Sequence, residues 1–185
     1  MRLSALFVCA DDNLWRKPQN TGVTIRAAIL TVSDKGSRGH RKDESGPALA
    51  AWLAERGVEV TATGMVADEQ ALIGGALRQW ADAGAIDLIV TTGGTGLSPR
   101  DVTPEATLAV LDRVVPGFAE AMRAASIIKT PRAMLSRAVC GIRGRALIVN
   151  LPGSPAAAVE NLEAVWGAVP HAIRKLQGDM EDCGA

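Results

Sequence analysis

A stretch at residues 91–106, TTGGTGLSPRDVTPEA, has the residue types needed to bind an anion. Gly93, Gly94 and Gly96 allow positive φ and bring successive backbone N–H groups close to a phosphate without side-chain obstruction. Asp101 follows, and a carboxylate beside bound phosphate is suited to holding a divalent metal. The pattern therefore predicts a site where phosphate and a metal ion meet.

The same stretch predicts the start of a helix beside the glycine turn. Thr103 is suited to be the N-cap, Pro104 the first helical residue and Glu105 the acid of the first turn. A cation, Arg100, lies between turn and helix. The stretch lacks the closing Gly-Lys-Ser/Thr of a Walker loop and the G-x-G-x-x-G spacing of a dinucleotide fold, and Gly-Gly-x-Gly alone most often marks only a tight turn.

Short apolar runs alternate with helix-like patterns along the chain, which predicts an α/β fold with a parallel sheet covered on both faces. The predicted strands are residues 27–32, 58–66, 87–92, 139–142 and 146–150. The predicted helices are residues 47–56, 68–83, 103–112 and 117–128, one that starts at Pro155 after the cap Ser154, and a last one between Pro170 and Gly178.

The loops at the carboxyl ends of parallel strands converge on one edge of the sheet, where ligands bind. In this chain those loops are residues 33–43, 66–68, 93–103 and 151–154. We therefore expect Ser33, Asp68, Gly93 and Gly153 at the same edge. From the residues alone, Asp68 is also a good N-cap for the helix that follows it.

Bulk properties exclude several classes of function. The 185 residues fit one domain, and 20 basic residues balance 20 acidic ones. With no tyrosine and only two phenylalanines, the chain has neither a basic footprint nor an aromatic platform for nucleic acid. No apolar stretch approaches the roughly twenty residues of a membrane span. Cys9, Cys140 and Cys183 suggest neither a disulfide framework nor a zinc site, and favour a cytoplasmic protein.

The chain is predicted to consist of an N-terminal arm of unknown role (residues 1–25), one functional domain (26–178) and a C-terminal tail (179–185). Between Glu120 and Glu160 there is no carboxylate, although six cations fall there: Arg123, Lys129, Arg132, Arg137, Arg143 and Arg145. Such a cluster is often only a solvated face. It could also attract a polyanionic ligand.

The whole string at residues 91–106 closely resembles the signature of the molybdopterin adenylyltransferase family, which includes one domain of gephyrin. Further matching strings are LTVSDKGSRG at 30–39, ADEQ at 67–70, PGFAEAMR at 116–123, LSR at 135–137 and LIVNLPGSP at 147–155. The similarity runs from about Arg26 to about Gly178.

The resemblance implies a three-layer α/β/α fold, a mostly parallel sheet and a homotrimer. It implies transfer of AMP from ATP, with Mg²⁺, to the terminal phosphate of molybdopterin, and a molybdate-inserting protein as a possible partner. Asp68 and Asp101 would be the catalytic residues and the ligands of magnesium and nucleotide. The substrate-binding residues would be Ser33, Gly93, Gly94, Thr95, Gly96, Arg100, Thr103, Ser136, Arg137, Pro152, Gly153 and Ser154.

Two alternatives remain open at this point. A non-catalytic pterin- or nucleotide-binding scaffold could retain the fold and the glycine turn after losing activity. A different enzyme on the same fold, one that inserts molybdate or cleaves nucleotides, could also have this fold and glycine turn. The presence of both Asp68 and Asp101 argues against the first alternative.

Overall fold

The computed structural model of the protein describes residues 24–179. The predicted N-terminal arm and C-terminal tail, with Cys9 and Cys183, lie almost wholly outside these residues. The strands are β1 (Arg26–Val32), β2 (Glu59–Val66), β3 (Leu88–Thr92), β4 (Arg113–Val114), β5 (Cys140–Arg143) and β6 (Ala146–Leu151). The helices are α1 (Asp34–Ser37), α2 (Ser45–Ala54), α3 (Gln70–Asp82), α4 (Thr103–Leu108), α5 (Pro116–Ile127), a 3₁₀ helix (Pro131–Leu135), α6 (Pro155–Trp166) and α7 (Val169–Leu176).

The six strands form one sheet in the order β2-β1-β3-β6-β5-β4. The first four strands run parallel, whereas β5 and β4 are added antiparallel at one side. The predicted mostly parallel sheet is confirmed, including the return of residues 146–150 to the centre of the sheet as β6. No helix of the described residues is long and apolar enough to cross a membrane.

Alternating side chains of the central strands form two separate cores. Ile29 of β1 faces the core that also contains Leu53 of α2 and Leu162 of α6. Leu30, the next residue of β1, faces the other core with Leu77 of α3. Successive residues of a strand point to opposite faces, and helices cover both faces here, so the three-layer α/β/α arrangement is confirmed.

Two short helices were not predicted, and one predicted helix was too long. The predicted loop at residues 33–43 contains the short helix α1, because the hydroxyl of Ser33 caps it by accepting from the N–H of Gly36 at 3.1 Å. The helix predicted to reach residue 112 ends at Leu108. The chain then pairs with β5 as β4, starting with Asp112 N–H donating to the carbonyl of Ile142 at 2.8 Å. The 3₁₀ helix was not predicted.

Two predicted helix caps were also wrong. Helix α4 begins at Thr103, so Val102 occupies the cap position and the Thr103 hydroxyl instead donates to the carbonyl of Gly93 at 2.9 Å. Helix α3 begins at Gln70 with Glu69 as its cap. The Asp68 carboxylate accepts from the backbone N–H of Asp34 at 2.7 Å. Both side chains are therefore engaged at the predicted ligand edge rather than in capping a helix.

Below that edge, the fully buried Asn150 of β6 ties several elements together. Its amide nitrogen donates to the hydroxyls of Thr91 on β3 and Thr107 on α4, at 3.0 and 2.9 Å. Its side-chain oxygen accepts from the N–H of Val139, just before β5, at 3.3 Å. A satisfied polar network in a low-dielectric interior fixes a specific arrangement of the groups that share it. Asn150 thus holds α4 in register with the centre of the sheet.

Candidate functional site

A cavity of about 440 Å³ opens at the carboxyl ends of β1, β2, β3 and β6. Its volume falls in the range of small-molecule pockets. The predicted site residues Ser33, Asp68, Gly93, Gly94, Asp101, Gly153 and Ser154 line it together. The other lining residues are Thr31, Val32, Gly36, Arg41, Lys42, Asp43, Glu44, Ser45, Met65 and Thr92. The predicted convergence of loops at one sheet edge is confirmed.

The glycine turn lies so close to the end of β1 that position 93 has no room for a side chain. Gly93 has φ of 101°, and a Cβ there would be 2.2 Å from the carbonyl oxygen of Val32. Its N–H donates to the carbonyl of Leu151 at 3.2 Å, so the turn is also attached to β6. A Cβ at Gly153 would lie 3.3 Å from the Cα of Gly93. The loops that follow β3 and β6 therefore meet backbone to backbone.

Beyond Gly93, the turn leaves backbone donors available. Within residues 24–179, no acceptor pairs with the N–H groups of Gly94, Thr95 or Gly96. Across the cavity, α6 begins at Pro155 after Ser154, and the Ser154 hydroxyl makes no capping bond. The first N–H groups of a helix lack partners inside the helix and attract anions. Gly94 and Ser154 line the cavity, so it has a backbone donor from the turn and the N-terminus of a helix, both suited to phosphate.

Three aspartates, Asp34, Asp68 and Asp101, lie beside the turn. Asp34 and Asp68 are joined by reciprocal bonds, from Asp34 N–H to Asp68 Oδ2 at 2.7 Å and from Asp68 N–H to Asp34 Oδ1 at 3.2 Å. A Cβ on Gly94 would lie 3.0 Å from Asp68 Oδ1, and one on Gly96 would lie 3.0 Å from Asp101 Oδ2. The two predicted ligands, Asp68 and Asp101, therefore pack directly against the backbone of the glycine turn.

The electrostatics of Asp68 indicate a site short of positive charge. Burial raises the pKa of its carboxyl above the ordinary value, and the charges of Asp34 and Asp101 add to that effect. The hydrogen bond from Asp34 N–H and the charge of Arg100 oppose it without cancelling it. A carboxylate in this state gains from a nearby cation.

Asp68 and Asp101 fit the oxygen-ligand chemistry of Mg²⁺, which takes one or two protein carboxylates together with phosphate oxygens and water. No group of three or more acidic, histidine or cysteine side chains within residues 24–179 could hold a metal ion by itself. Any ion held here would therefore need further ligands, from water or from bound phosphate oxygens.

Two predicted substrate contacts, Arg100 and Arg137, do not line the cavity. Arg100 forms a two-pronged ion pair with Asp34, with Nε–Oδ2 at 2.9 Å and Nη2–Oδ1 at 2.8 Å, and this bond holds the pKa of Asp34 below its usual range. Arg137 pairs with Glu105 and donates from Nη2 to the carbonyl of Asp101. Its Nε donates to the carbonyl of Gly96 at 2.7 Å. Arg137 therefore attaches the glycine turn to the start of α4.

The remaining predicted substrate-binding residues do not line the cavity and form hydrogen bonds within the protein. Thr103 is fully buried and anchors Gly93, and the carbonyl of Thr95 accepts from Arg137 N–H at 2.9 Å. The carbonyl of Pro152 accepts from the Thr92 hydroxyl at 2.7 Å. The carbonyl of Ser136 accepts from Arg123 at 3.4 Å. Substrate contacts of these residues stay predictions, as do those of the lining residues.

The cation-rich stretch of the sequence is not an open basic surface. Arg123 donates to the carbonyl of Ala138, Lys129 pairs with Glu160, and Arg143 forms a two-pronged pair with Asp82. Arg137 is occupied as described. Most of these charges hold neighbouring segments of the chain together.

The predicted loop at residues 33–43 lines the cavity at its end, but the hydrogen bonds that fix that end were not predicted. Asp43 accepts from the Thr31 hydroxyl at 2.7 Å and from the N–H groups of Ser45 and Gly46, both at 3.0 Å. The Ser45 hydroxyl donates to the carbonyl of Gly153 at 2.7 Å. An aspartate just ahead of a helix was a usable signal for this cap. Arg41 and Lys42 belong to the loop expected at this edge, but they were not assigned as site residues.

Comparisons with known proteins show which proteins the chain is similar to. Residues 28–171 match the family described as probable molybdopterin binding domain. The chain is 43% identical over 158 residues to a protein of Helicobacter pylori strain J99 named molybdopterin adenylyltransferase, covering 84% of this chain and 90% of that protein. It is 40% identical over 158 residues to the Drosophila melanogaster molybdenum cofactor synthesis protein cinnamon, covering 85% of this chain and 26% of that protein.

A crystal structure of the molybdopterin biosynthesis enzyme MoaB from Thermus thermophilus superposes with a TM-score of 0.80 at 54% identity. The match covers 84% of this chain and 98% of that one.

Replacing Gly94 by Ala tests the tightness of the turn. Gly94 has φ of 63°, and a Cβ there would lie 2.3 Å from the Thr103 hydroxyl oxygen. We expect the free energy of unfolding in urea to fall by about 1–2 kcal/mol for the left-handed backbone and by roughly 1–3 kcal/mol more for the clash. Gly57→Ala is the matched control, with φ of 74° and nothing within 4 Å of the added Cβ. Equal losses in the two variants would show that Thr103 yields without cost.

Asp68→Asn should leave the ligand-free protein at least as stable as the wild type at pH 7. Folding raises the pKa of Asp68, so the charged carboxylate costs stability as the pH rises through that pKa, and Asn removes the charge while still accepting from Asp34 N–H. The advantage should shrink as the pH falls and the wild-type carboxyl becomes neutral. Thermal melts between acidic and neutral pH measure this.

Asp82→Asn is the control of opposite sign for that melt series. The hydrogen bond from Arg143 lowers the pKa of Asp82, so removing its charge should lower the melting temperature at pH 7 or leave it unchanged. A clear loss of stability in Asp68→Asn at pH 7 would contradict the account of Asp68.

Proposed function

The chain belongs to the family of probable molybdopterin binding domains, and from that membership we propose that it is a molybdopterin adenylyltransferase of molybdenum cofactor biosynthesis. It transfers AMP from ATP to the terminal phosphate of molybdopterin and releases pyrophosphate. One observation carries the proposal. A glycine turn with unpaired backbone N–H groups, a helix N-terminus and two carboxylates lie together at one cavity.

The reaction needs no protein nucleophile. An oxygen of the pterin phosphate attacks the α-phosphorus of ATP, and the bond from that phosphorus to the oxygen bridging to the β-phosphate breaks. A phosphate monoester has its second pKa near 6 and is largely ionised at neutral pH, so no general base is required. His40 and His171 do not line the cavity. The work left to the protein is to bring two anions together in line.

Backbone donors perform much of that work. We expect the N–H groups of Gly94 to Gly96 and of the start of α6 to donate to phosphate oxygens, and donors that are already in place do not have to reorganise during the reaction. Arg137 and Thr103 hold the turn from behind, so both act as positioning residues. A rigid turn keeps its donors fixed on the charge that shifts from the α-phosphate to the leaving pyrophosphate.

Asp68 and Asp101 would hold Mg²⁺ with the nucleotide, and the ion would supply charge neutralisation at the phosphates. In the free protein, burial raises the pKa of Asp68, and the nearby charges of Asp34 and Asp101 raise it further, so its ionised form carries a cost. That cost favours binding of a metal-nucleotide complex over binding of the free nucleotide. Asp34 and Arg100 keep Asp68 in place through the reciprocal backbone bonds.

We propose that the reaction takes place in the cytoplasm. It consumes ATP, and the cysteine within the described residues, Cys140, is a free thiol, as is usual in a reducing compartment. The adenylylated pterin is an activated product, so a molybdate-inserting protein is the expected partner downstream.

Asp101→Asn tests the catalytic assignment. Asn keeps the acceptor for Ser98 N–H, which bonds Asp101 Oδ2 at 2.8 Å, but removes the charge. We expect formation of adenylylated molybdopterin from Mg-ATP to fall by roughly 10² or more, the scale of losing one preorganised electrostatic group. Pterin binding should survive because the turn's amides remain.

Asp82→Asn, a carboxylate remote from the cavity, is the control and should turn over normally. Normal turnover by folded Asp101→Asn would reduce Asp101 to a turn residue. A wild-type protein that binds pterin and nucleotide without product would point to the scaffold alternative.

We further propose that the protein is a homotrimer, as the family resemblance implies. Large apolar side chains are exposed on neighbouring segments: Leu97 beside the glycine turn, Ile127 and Ile128 at the end of α5, and Met134 and Leu135 in the 3₁₀ helix. Such groups are often covered by a partner. Sedimentation equilibrium should give three times the 19.3 kDa mass of the chain. A single species at the monomer mass would contradict the proposal.

A further inference from the structure

The cavity has an unusual balance of charge along its lining. Four carboxylates border it, from Asp43, Glu44, Asp68 and Asp101, whereas its cations are the adjacent Arg41 and Lys42. ATP and the pterin phosphate are both polyanions. Apart from any metal, the full positive charges available to them inside the cavity are these two side chains.

Two other cations near the cavity, Arg100 and Arg137, are committed elsewhere. Arg100 is held by both oxygens of Asp34, and Arg137 is held by Glu105 and two backbone carbonyls. Arg41 and Lys42 differ from them, because no carboxylate within residues 24–179 lies within ion-pair distance of either. Both side chains are exposed at the mouth of the cavity. Their charge is free to meet a ligand.

The position of this pair is set by the residue that follows it. Asp43 is fixed by the Thr31 hydroxyl on β1 and by two N–H groups of α2. A Cβ at Gly46 would lie 2.5 Å from Asp43 Oδ2, so the packing there is close. Ser45 adds a bond to the carbonyl of Gly153. The end of the loop that carries Arg41 and Lys42 is therefore attached to the sheet edge, facing the glycine turn.

The phosphates of ATP differ in the charge they present. The α-phosphate carries a single negative charge, which backbone N–H groups with partial charges can stabilise. The β- and γ-phosphates together carry about three, because the terminal group ionises with a second pKa near 6. Full cations are suited to the more highly charged end. Exposed cations also suit a group that must leave, because exposed charge pairs are weak and exchange readily.

Building on the proposed function, we propose that Arg41 and Lys42 form the subsite for the β- and γ-phosphates of ATP, the part released as pyrophosphate. The glycine turn and the N-terminus of α6 then hold the α-phosphate and the attacking pterin phosphate. This division makes the pair a determinant of specificity for a nucleoside triphosphate over a monophosphate.

The test is calorimetric titration of wild-type protein and of the double variant Arg41→Gln/Lys42→Gln with ATP, ADP, AMP and inorganic pyrophosphate, each with Mg²⁺ at low salt. In the variant, affinity for ATP and pyrophosphate should fall by about tenfold or more, and affinity for ADP by less. AMP binding should change by no more than about twofold, because AMP lacks the β- and γ-phosphates that Arg41 and Lys42 are proposed to bind. The loss for ATP should shrink at high salt as the charges are screened.

The matched control is Lys35→Gln/Arg38→Gln, which removes two cations from the same segment at residues that do not line the cavity. Its ATP affinity should stay within about twofold of the wild type at the same salt. If both double variants lost ATP affinity equally, the proposal would be overturned, because the effect would come from the overall positive charge of the loop and not from Arg41 and Lys42 in particular. Equal loss of AMP and ATP, or no loss at all, would overturn it as well.

These titrations do not depend on turnover. If wild-type protein makes no adenylylated pterin but the selective loss for ATP and pyrophosphate appears, the proposed function fails and the phosphate subsite stands. If product forms normally while the titrations show no selectivity, the subsite fails and the proposed function stands. Circular dichroism melts of both double variants exclude unfolding as the cause of any loss.

Discussion

The contact between Gly93 and the end of β1 is the constraint on which the rest of the site depends. A side chain at position 93 would overlap the carbonyl of Val32, so the turn after β3 can follow its path only because that side chain is missing. This path lets Thr103 bond the carbonyl of Gly93 and brings Gly153 against the turn. The two loops, the start of α4 and the start of α6 therefore share one wall of the cavity. Close backbone packing of this kind holds hydrogen-bond donors still without a dedicated side chain.

The sequence predicted the fold well because its strongest signals are local and periodic. Apolar runs such as residues 27–32 and 146–150 are too short for helices and lie between helical patterns, which leaves few topologies besides a parallel sheet. β4 escaped prediction because its two residues form a strand only by pairing with β5, and that contact joins residues distant along the chain. The cap assigned to Asp68 failed for a similar reason, since the competing donor, Asp34 N–H, belongs to another loop.

The candidate site was predictable to the extent that it follows strand ends. Loops at the carboxyl ends of parallel strands converge on one edge, and this rule placed seven residues that line the cavity: Ser33, Asp68, Gly93, Gly94, Asp101, Gly153 and Ser154. The rule could not separate cations that contact a ligand from cations that hold the protein together. Arg100 and Arg137 belong to segments expected at the site, but they form ion pairs with Asp34 and Glu105. Arg41 and Lys42 form no ion pair within the described residues. Guanidinium groups favour two-pronged partners, so arginines near loops readily serve as internal braces.

One further contact lies at the opposite end of the sheet. The buried Asp87 accepts from Arg26 N–H at the start of β1 and from the side-chain amide of Gln177 just after α7, both at 2.9 Å. The ends of the described chain are thus gathered at one place, and the length of β1, about 20 Å, separates them from the cavity. A polypeptide joined at either end would start about that far from the cavity. Chain ends that lie together and away from the site are suited to a domain within a longer protein. The Drosophila relative is such a longer protein, since the match covers only 26% of it.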